Sequence, residues 1–268
     1  MTSKHSLLWE FNHKESGSGY LFGSIHINNE LVQSIFTQIK PYIITADIVA
    51  AEIHLDEVDQ SFPEKYFNLP EGDSYQKHWS RTRMIKYEFL IKKILGVSLR
   101  AHEHLNPIIL FNLLSLKMIQ GNLSSSNFDE MIWTYSKGIG KGMFGLESLN
   151  YHFEHLQKVT IKDQFKMLNK AFRNSKMWRR QLLNMVELYK HQETVKLYHS
   201  TKRQLGSLRR PFLYERNFTL VNALDKLVKS GRVFASVGVA HFDGQFGMLK
   251  LLKDKNYKLN PIILEQTM

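Results

Sequence analysis

Strand-like apolar runs in this 268-residue chain are confined to its two ends and one short stretch between them. Leu7-Leu8-Trp9-Glu10-Phe11, Tyr20-Leu21-Phe22 and Asp47-Ile48-Val49-Ala50-Ala51-Glu52 lie near the start. Arg232-Val233-Phe234-Ala235-Ser236-Val237 and the run from Tyr257 to Leu264 lie near the finish, with Gly142-Met143-Phe144-Gly145-Leu146-Glu147 alone in between. The rest reads mainly as helix. Short strands need partners to bury their apolar faces, so the sheet must be assembled from both ends of the chain. The expected class is α/β: a split central mixed sheet formed by the N- and C-terminal segments, with a large helical insertion. A single domain is expected, with its core over approximately 1–56, 140–150 and 212–268 and helical insertions over approximately 60–139 and 151–211. Pro261 breaks the final run and favours a sheet edge. Asn29 is placed to cap a helix from about Glu30 to Ile39, with Pro41 just beyond.

Composition narrows the chemistry. Hydrophobic residues make up 43% of the chain and charged ones 23%, which excludes a disordered or low-complexity polypeptide. There is no cysteine, so a disulfide framework, a zinc ribbon, a thiolate nucleophile and a Cys-ligated cluster are excluded. The first ten residues lack the apolar stretch of a secretory signal. Pro107 to Ile119, the greasiest segment, contains Asn112, Ser115 and Lys117 and is too short and polar to span a bilayer. A cytoplasmic chain without a transmembrane segment is expected.

The formal charge is +11, and residues 158–210 alone hold 14 Lys and Arg against 3 Asp and Glu. Phe165, Leu168, Phe172, Leu182, Met185 and Tyr189 recur there at helical spacing, so the block reads as helices with a basic outer face. Such a face suits an anionic surface, and a merely solvated face is the plainer alternative. No RNP, zinc-finger or helix-turn-helix pattern supports a specific nucleic-acid partner.

Two segments repeat one arrangement. Gly23-Ser24-Ile25-His26 follows the Tyr20–Phe22 run, and Gly238-Val239-Ala240-His241 follows Arg232–Val237. With 15 Gly and 12 His, chance alone places roughly 0.7 such spacings in a chain of this length, so spacing by itself decides little. The shared context decides more, because each pair ends an apolar strand. A His just past a strand lies at the carboxyl edge of the sheet, where open α/β sheets bind ligands. If the two strands are neighbours, both imidazoles converge; for either His alone, a hydrogen-bonded structural role is the commoner one. Glu52 ends another apolar strand, where a lone carboxylate is expensive to bury without a partner. Two His and one carboxylate form a recognised catalytic metal arrangement with an open position for water, while a salt bridge at the sheet edge is the alternative for Glu52. Glu147 is a second strand-end carboxylate, suited to a ligand, an acceptor that holds a His tautomer, or a helix-cap neighbour. Arg216 suits oxyanion stabilisation and Asn217 the orientation of substrate or water, against an ordinary ion pair of Arg216 with Glu215 or another acid. His102-Glu103-His104 and His152 with His155 are rival spacings that follow no Gly-ended strand. No P-loop, Gly-x-Ser-x-Gly, His-Glu-x-x-His or Gly-x-Gly-x-x-Gly is present.

Together these pieces resemble the TraB/GumN/PrgY family, which is related to the Tiki proteins. The residues that carry the resemblance are Tyr20-Leu21-Phe22-Gly23-Ser24-Ile25-His26, Glu52, Lys141-Gly142-Met143-Phe144-Gly145-Leu146-Glu147-Ser148, Glu215-Arg216-Asn217 and Val237-Gly238-Val239-Ala240-His241-Phe242-Asp243-Gly244. Gly247, Leu251-Leu252 and Tyr257 complete it, so that it runs from about Leu7 to Leu264. The resemblance implies a metal-dependent hydrolase site built from His26, His241 and Glu52, with Arg216 and Asn217 near it and Glu147 close by. It implies a divalent ion, manganese, cobalt or zinc, and a peptide or small-molecule substrate. Tiki relatives are described as metalloproteases, and bacterial relatives are linked to shutting off peptide pheromone signals. Two positions depart from the pattern: His152 stands where Gln is expected, and Asn256 where Gly is usual before the final Tyr. A sequestering protein that binds a peptide or cofactor without cleaving it is the competing reading. Metal-free esterase chemistry, as in the distantly related erythromycin esterases, is the third.

Overall fold

The computed structural model describes residues 5–27, 29–61, 66–120 and 127–265. Its strands are β1 (Leu8–His13), β2 (Gly17–Ser24), β3 (Ile48–Ala51), β4 (Gly142–Gly145), β5 (Val233–Gly238) and β6 (Lys258–Ile262). They form one sheet in the order β4-β3-β5-β2-β1-β6. Strands β4, β3, β5 and β2 are parallel, and β1 is antiparallel to both β2 and β6. The chain is therefore α/β with a mixed sheet joined from its two ends, as its pattern implies. At the join Gly23 pairs with Val237 and Ser24 with Gly238. Because four strands are parallel, Ser24, Ala51, Gly145 and Gly238 all finish at one edge of the sheet. Strand β6 is the opposite edge strand, where Pro261 faces Trp9 and its missing N–H is tolerated.

The helices are α1 (Glu30–Thr45), α2 (Leu55–Ser61), α3 (Tyr75–His78), α4 (Arg81–Leu95), α5 (Pro107–Gln120), α6 (Phe128–Gly138), α7 (Leu149–Gln157), α8 (Ile161–Arg173), α9 (Ser175–Lys190), α10 (Thr194–Leu205), α11 (Arg216–Leu227) and α12 (Met248–Asp254). Asn29 does cap α1, its Oδ1 accepting from the Val32 N–H at 3.1 Å. The helix does not stop before Pro41, however; it runs through it to Thr45. Proline removes one backbone bond, but Val32, Ile35, Ile39 and Ile43 form one unbroken buried stripe that outweighs the loss. Asn256 adopts φ 66°, the left-handed conformation that Gly enters freely and Asn tolerates.

Alternation along β2 and β5 sends side chains to both faces of the sheet. Leu21, Ala235 and Val237 pack with Leu220, Leu224, Phe242 and Leu252 beneath α11 and α12. Phe22 and Phe234 face the other way, where the Phe22 ring meets Phe128 of α6 at 5.3 Å.

The chain divides into two compact units. One comprises Met1–Gln60, Ser126–Leu156 and Met185–Met268 and holds the sheet with α1, α6, α10, α11 and α12. The other, Ser61–Ser125 with Gln157–Asn184, is helical. Its own core is rich in rings: Tyr75, Trp79, Tyr87, Phe165 and Phe172 are all buried. Among the described residues, no helix is long and apolar enough to cross a membrane.

Candidate functional site

His26, Glu52, Glu147 and His241 each follow a parallel strand by one to three residues, so the topology delivers all four to the same sheet edge. Glycine permits the close fit there. A Cβ on Gly238 would lie 3.2 Å from Glu52 Oε1, and one on Gly23 would lie 3.0 Å from Val239 and 3.1 Å from the Phe242 ring. The bare Gly238 N–H instead donates to Glu52 Oε1 at 2.7 Å.

Arg216, at the start of α11, is the hub. It is buried, and its Nη2 donates to Glu52 Oε2 and, at 2.6 Å, to Glu147 Oε1. Its Nε reaches both oxygens of Glu147 at 3.0 and 3.2 Å. Only Nη1 is left with a weak contact, 3.5 Å to the Phe212 carbonyl. His152 Nδ1 donates to Glu147 Oε1 at 2.7 Å, a bond that the amide of a Gln could also make. Burial pushes the Glu52 carboxyl up, but Arg216, His241, His26 and the Gly238 N–H together hold it well below the usual range. Glu147 is likewise held low, against burial, by His152 and Arg216.

His241 is buried, and burial lowers its pKa to about 4 despite the nearby Glu52. The ring is neutral at pH 7, and its tautomer follows from Asn217. The Asn217 amide nitrogen donates to the Phe246 carbonyl at 2.6 Å and the His241 carbonyl at 3.3 Å. Its Oδ1 therefore faces His241 Nδ1, at 2.5 Å, and accepts a hydrogen bond from the Nδ1–H. The lone pair lies on Nε2, which is 3.7 Å from Glu52 Oε1. Asn217 thus orients a histidine, rather than being turned outward toward a substrate.

His26 is held by an ion pair with a residue that the sequence pattern did not single out. Its Nδ1 lies 2.7 Å from Asp129 Oδ2, in the first turn of α6, and Asp129 raises the imidazole's pKa to about 9. The ring is 66% exposed, and its nitrogens are not among the ligand atoms that gather within 4.8 Å of one another at this edge. The Phe128 N–H donates to the Ile27 carbonyl at 3.1 Å, and the buried Tyr189 hydroxyl to the Gly23 carbonyl at 2.7 Å. These two bonds fix the loop that carries His26.

Glu52, Glu147 and His152 place potential ligand atoms within 4.8 Å of one another. Arg216 Nη2 already contacts all three, so that set contains its own cation. Of the rival histidines, His152 thus belongs to the cluster. His155 is buried, with Nδ1 on the Tyr151 carbonyl at 2.9 Å, and His102 and His104 lie in the helical unit.

The family model described as the TraB/PrgY/gumN family matches residues 7–261. The chain belongs to this family. No curated protein and no solved structure matches it. In this TraB/PrgY/gumN member, both Gly-x-x-His motifs and the two strand-end glutamates lie within the matched span.

Proposed function

We propose that this chain is a metal-dependent hydrolase acting on a peptide or small-molecule substrate, with His26, His241 and Glu52 holding a divalent manganese, cobalt or zinc ion. The observation that carries the reading is the oxygen that faces Nδ1 of each imidazole. Metal-binding histidines almost always donate their second ring N–H to an oxygen acceptor. His241 has Asn217 Oδ1 and His26 has Asp129 Oδ2 in that place. Nε2 of His241 carries a free lone pair at pH 7, whereas Nε2 of His26, whose pKa Asp129 raises to about 9, ligates when an ion displaces its proton. The donor set of two imidazole nitrogens and a carboxylate suits the proposed ions. A divalent ion bound there supplies a water of lowered pKa and polarises a carbonyl.

The chain's own residues have separate tasks. Glu52 is kept ionised by Arg216, which makes it a good ligand and a weak base. Glu147 anchors Arg216 and His152, and Arg216 Nη1 is the donor that remains for an oxyanion.

The test is metal analysis of protein purified without chelator, together with hydrolysis of a peptide library. His26→Ala and His241→Ala should each lose metal and turnover. Unchanged metal content in both variants refutes the reading. Turnover that survives chelation identifies metal-free esterase chemistry instead, and ligand protection from unfolding without turnover identifies a sequestering protein.

A further inference from the structure

The helical unit, Ser61–Ser125 with Gln157–Asn184, holds 17 Lys and Arg against 6 Asp and Glu. Its surplus equals the +11 of the whole chain, so the sheet-bearing unit is neutral. Helix α4 carries part of this charge in a particular arrangement. Tyr87 and Ile91 are buried in the unit's core, whereas Ile85 and Phe89, one turn apart, are 66% and 71% exposed. On the same helical stripe stand Arg81 on one side and Lys92 and Lys93 on the other, all exposed. Glu88, the acid of this helix, is turned aside: it accepts from Ser98 Oγ at 2.7 Å and from the Leu99 N–H at 2.8 Å. The outward stripe is thus an apolar pair bracketed by cations, with no carboxylate of α4 beside it.

The rest of the unit repeats the theme. Lys162, Lys166, Lys170 and Arg173 line the exposed side of α8, and Met177 is 55% exposed on α9 between Lys176 and Arg179.

We propose that α4 is an interfacial helix that seats the helical unit on an anionic lipid surface. Ile85 and Phe89 enter the boundary between headgroups and acyl chains, and Arg81, Lys92 and Lys93 meet the headgroups. Basic amphipathic helices with large apolar side chains bind in this way. A nucleic acid would use the charge and could stack on Phe89, but it offers nothing for an exposed aliphatic Ile85. The proposal is independent of any chemistry at the sheet edge.

The experiment is co-sedimentation of the full chain with phosphatidylcholine vesicles, with and without phosphatidylserine. Binding is expected only with phosphatidylserine and should be released by high salt. Ile85→Ser with Phe89→Ser should weaken it about tenfold or more. Lys92→Gln with Lys93→Gln should weaken it about 25-fold, at about fivefold per lysine. All four positions are exposed, so both variants should melt like the parent, and His241→Ala should bind vesicles normally. Failure to sediment with phosphatidylserine vesicles overturns the proposal. So does full binding by the serine variant, or displacement from vesicles by an RNA or DNA oligomer that the serine variant binds equally well.

Discussion

Replacing Arg216 with Met keeps most of the side chain's bulk and removes the charge on which two glutamates depend. Arg216 is 7% exposed at its side chain, Glu147 0% and Glu52 15%, so water can substitute only weakly for the guanidinium. Removing one partner of a buried ion pair costs about 3–5 kcal/mol, because an uncompensated charge stays behind. For a chain of this size that lowers the melting temperature by on the order of 10 °C. The sign of the pH dependence is the sharper test. In the parent, both carboxyls titrate below their ordinary value of 4.5. Their contribution to stability is present above that value and is lost as pH falls through the folded one. Without Arg216, burial, the largest influence on each, should outweigh the remaining His241, His26 and Gly238 groups at Glu52 and His152 at Glu147, and raise both carboxyls. Their contribution is then fully present below the ordinary value and is lost as pH rises through the new folded one. Between about pH 4.5 and 7 the two carboxyls add no slope in the parent and a negative one in the variant, so the unfolding free energy of Arg216→Met should climb less with pH than the parent's, or fall. Urea unfolding of Arg216→Met at several pH values, followed by tryptophan fluorescence, measures it. A loss under about 1 kcal/mol at neutral pH, or a slope equal to the parent's over that window, would refute the dependence of the two acids on this arginine.

Four further outcomes follow from single residues. His241 titrates at about 4 folded and 6.5 unfolded, so stability should rise by about 3 kcal/mol as pH climbs through that window; His241→Gln should flatten this part of the curve. His26, raised to about 9, contributes below 6.5 and loses that contribution toward 9, weakly because its ring is 66% exposed. Gly238→Ala should push Glu52 off its backbone donor and lower stability by about 1 kcal/mol, measured by urea unfolding; an unchanged midpoint would mean that Glu52 shifts without penalty. Tyr189→Phe leaves the buried Gly23 carbonyl without its hydroxyl donor and should cost about 1–3 kcal/mol; a variant as stable as the parent would show that the bond does not hold the His26 loop.

The strands were legible because apolar runs ending in Gly or Glu are local signals, and Pro261 marked the edge for a local reason. What made those signals into a cluster was not local. That β2 and β5 are neighbours is decided by pairing across most of the chain, and no window of residues contains it. Arg216 read as a helical cation with an acid next door at Glu215. Its partners are Glu147 and Glu52, 69 and 164 residues away, because buried carboxylates demand a cation more strongly than a surface neighbour does. Asp129 was invisible for a different reason. An acid in the first turn of a helix behind an Asn cap is ordinary, and nothing nearby announces that His26 will be delivered to it. Pro41 misled in the opposite sense, since a local helix-stop rule lost to a continuous buried stripe.

The position of β5 between β2 and β3 has a consequence for how the molecule is made. Until residues 233–238 leave the ribosome, β2 and β3 have no shared neighbour, and each shows an open hydrogen-bonding flank to the cell. A nascent chain that has already completed its helical unit must still wait for β5 before the sheet can close, so both flanks stay open while the residues in between are made.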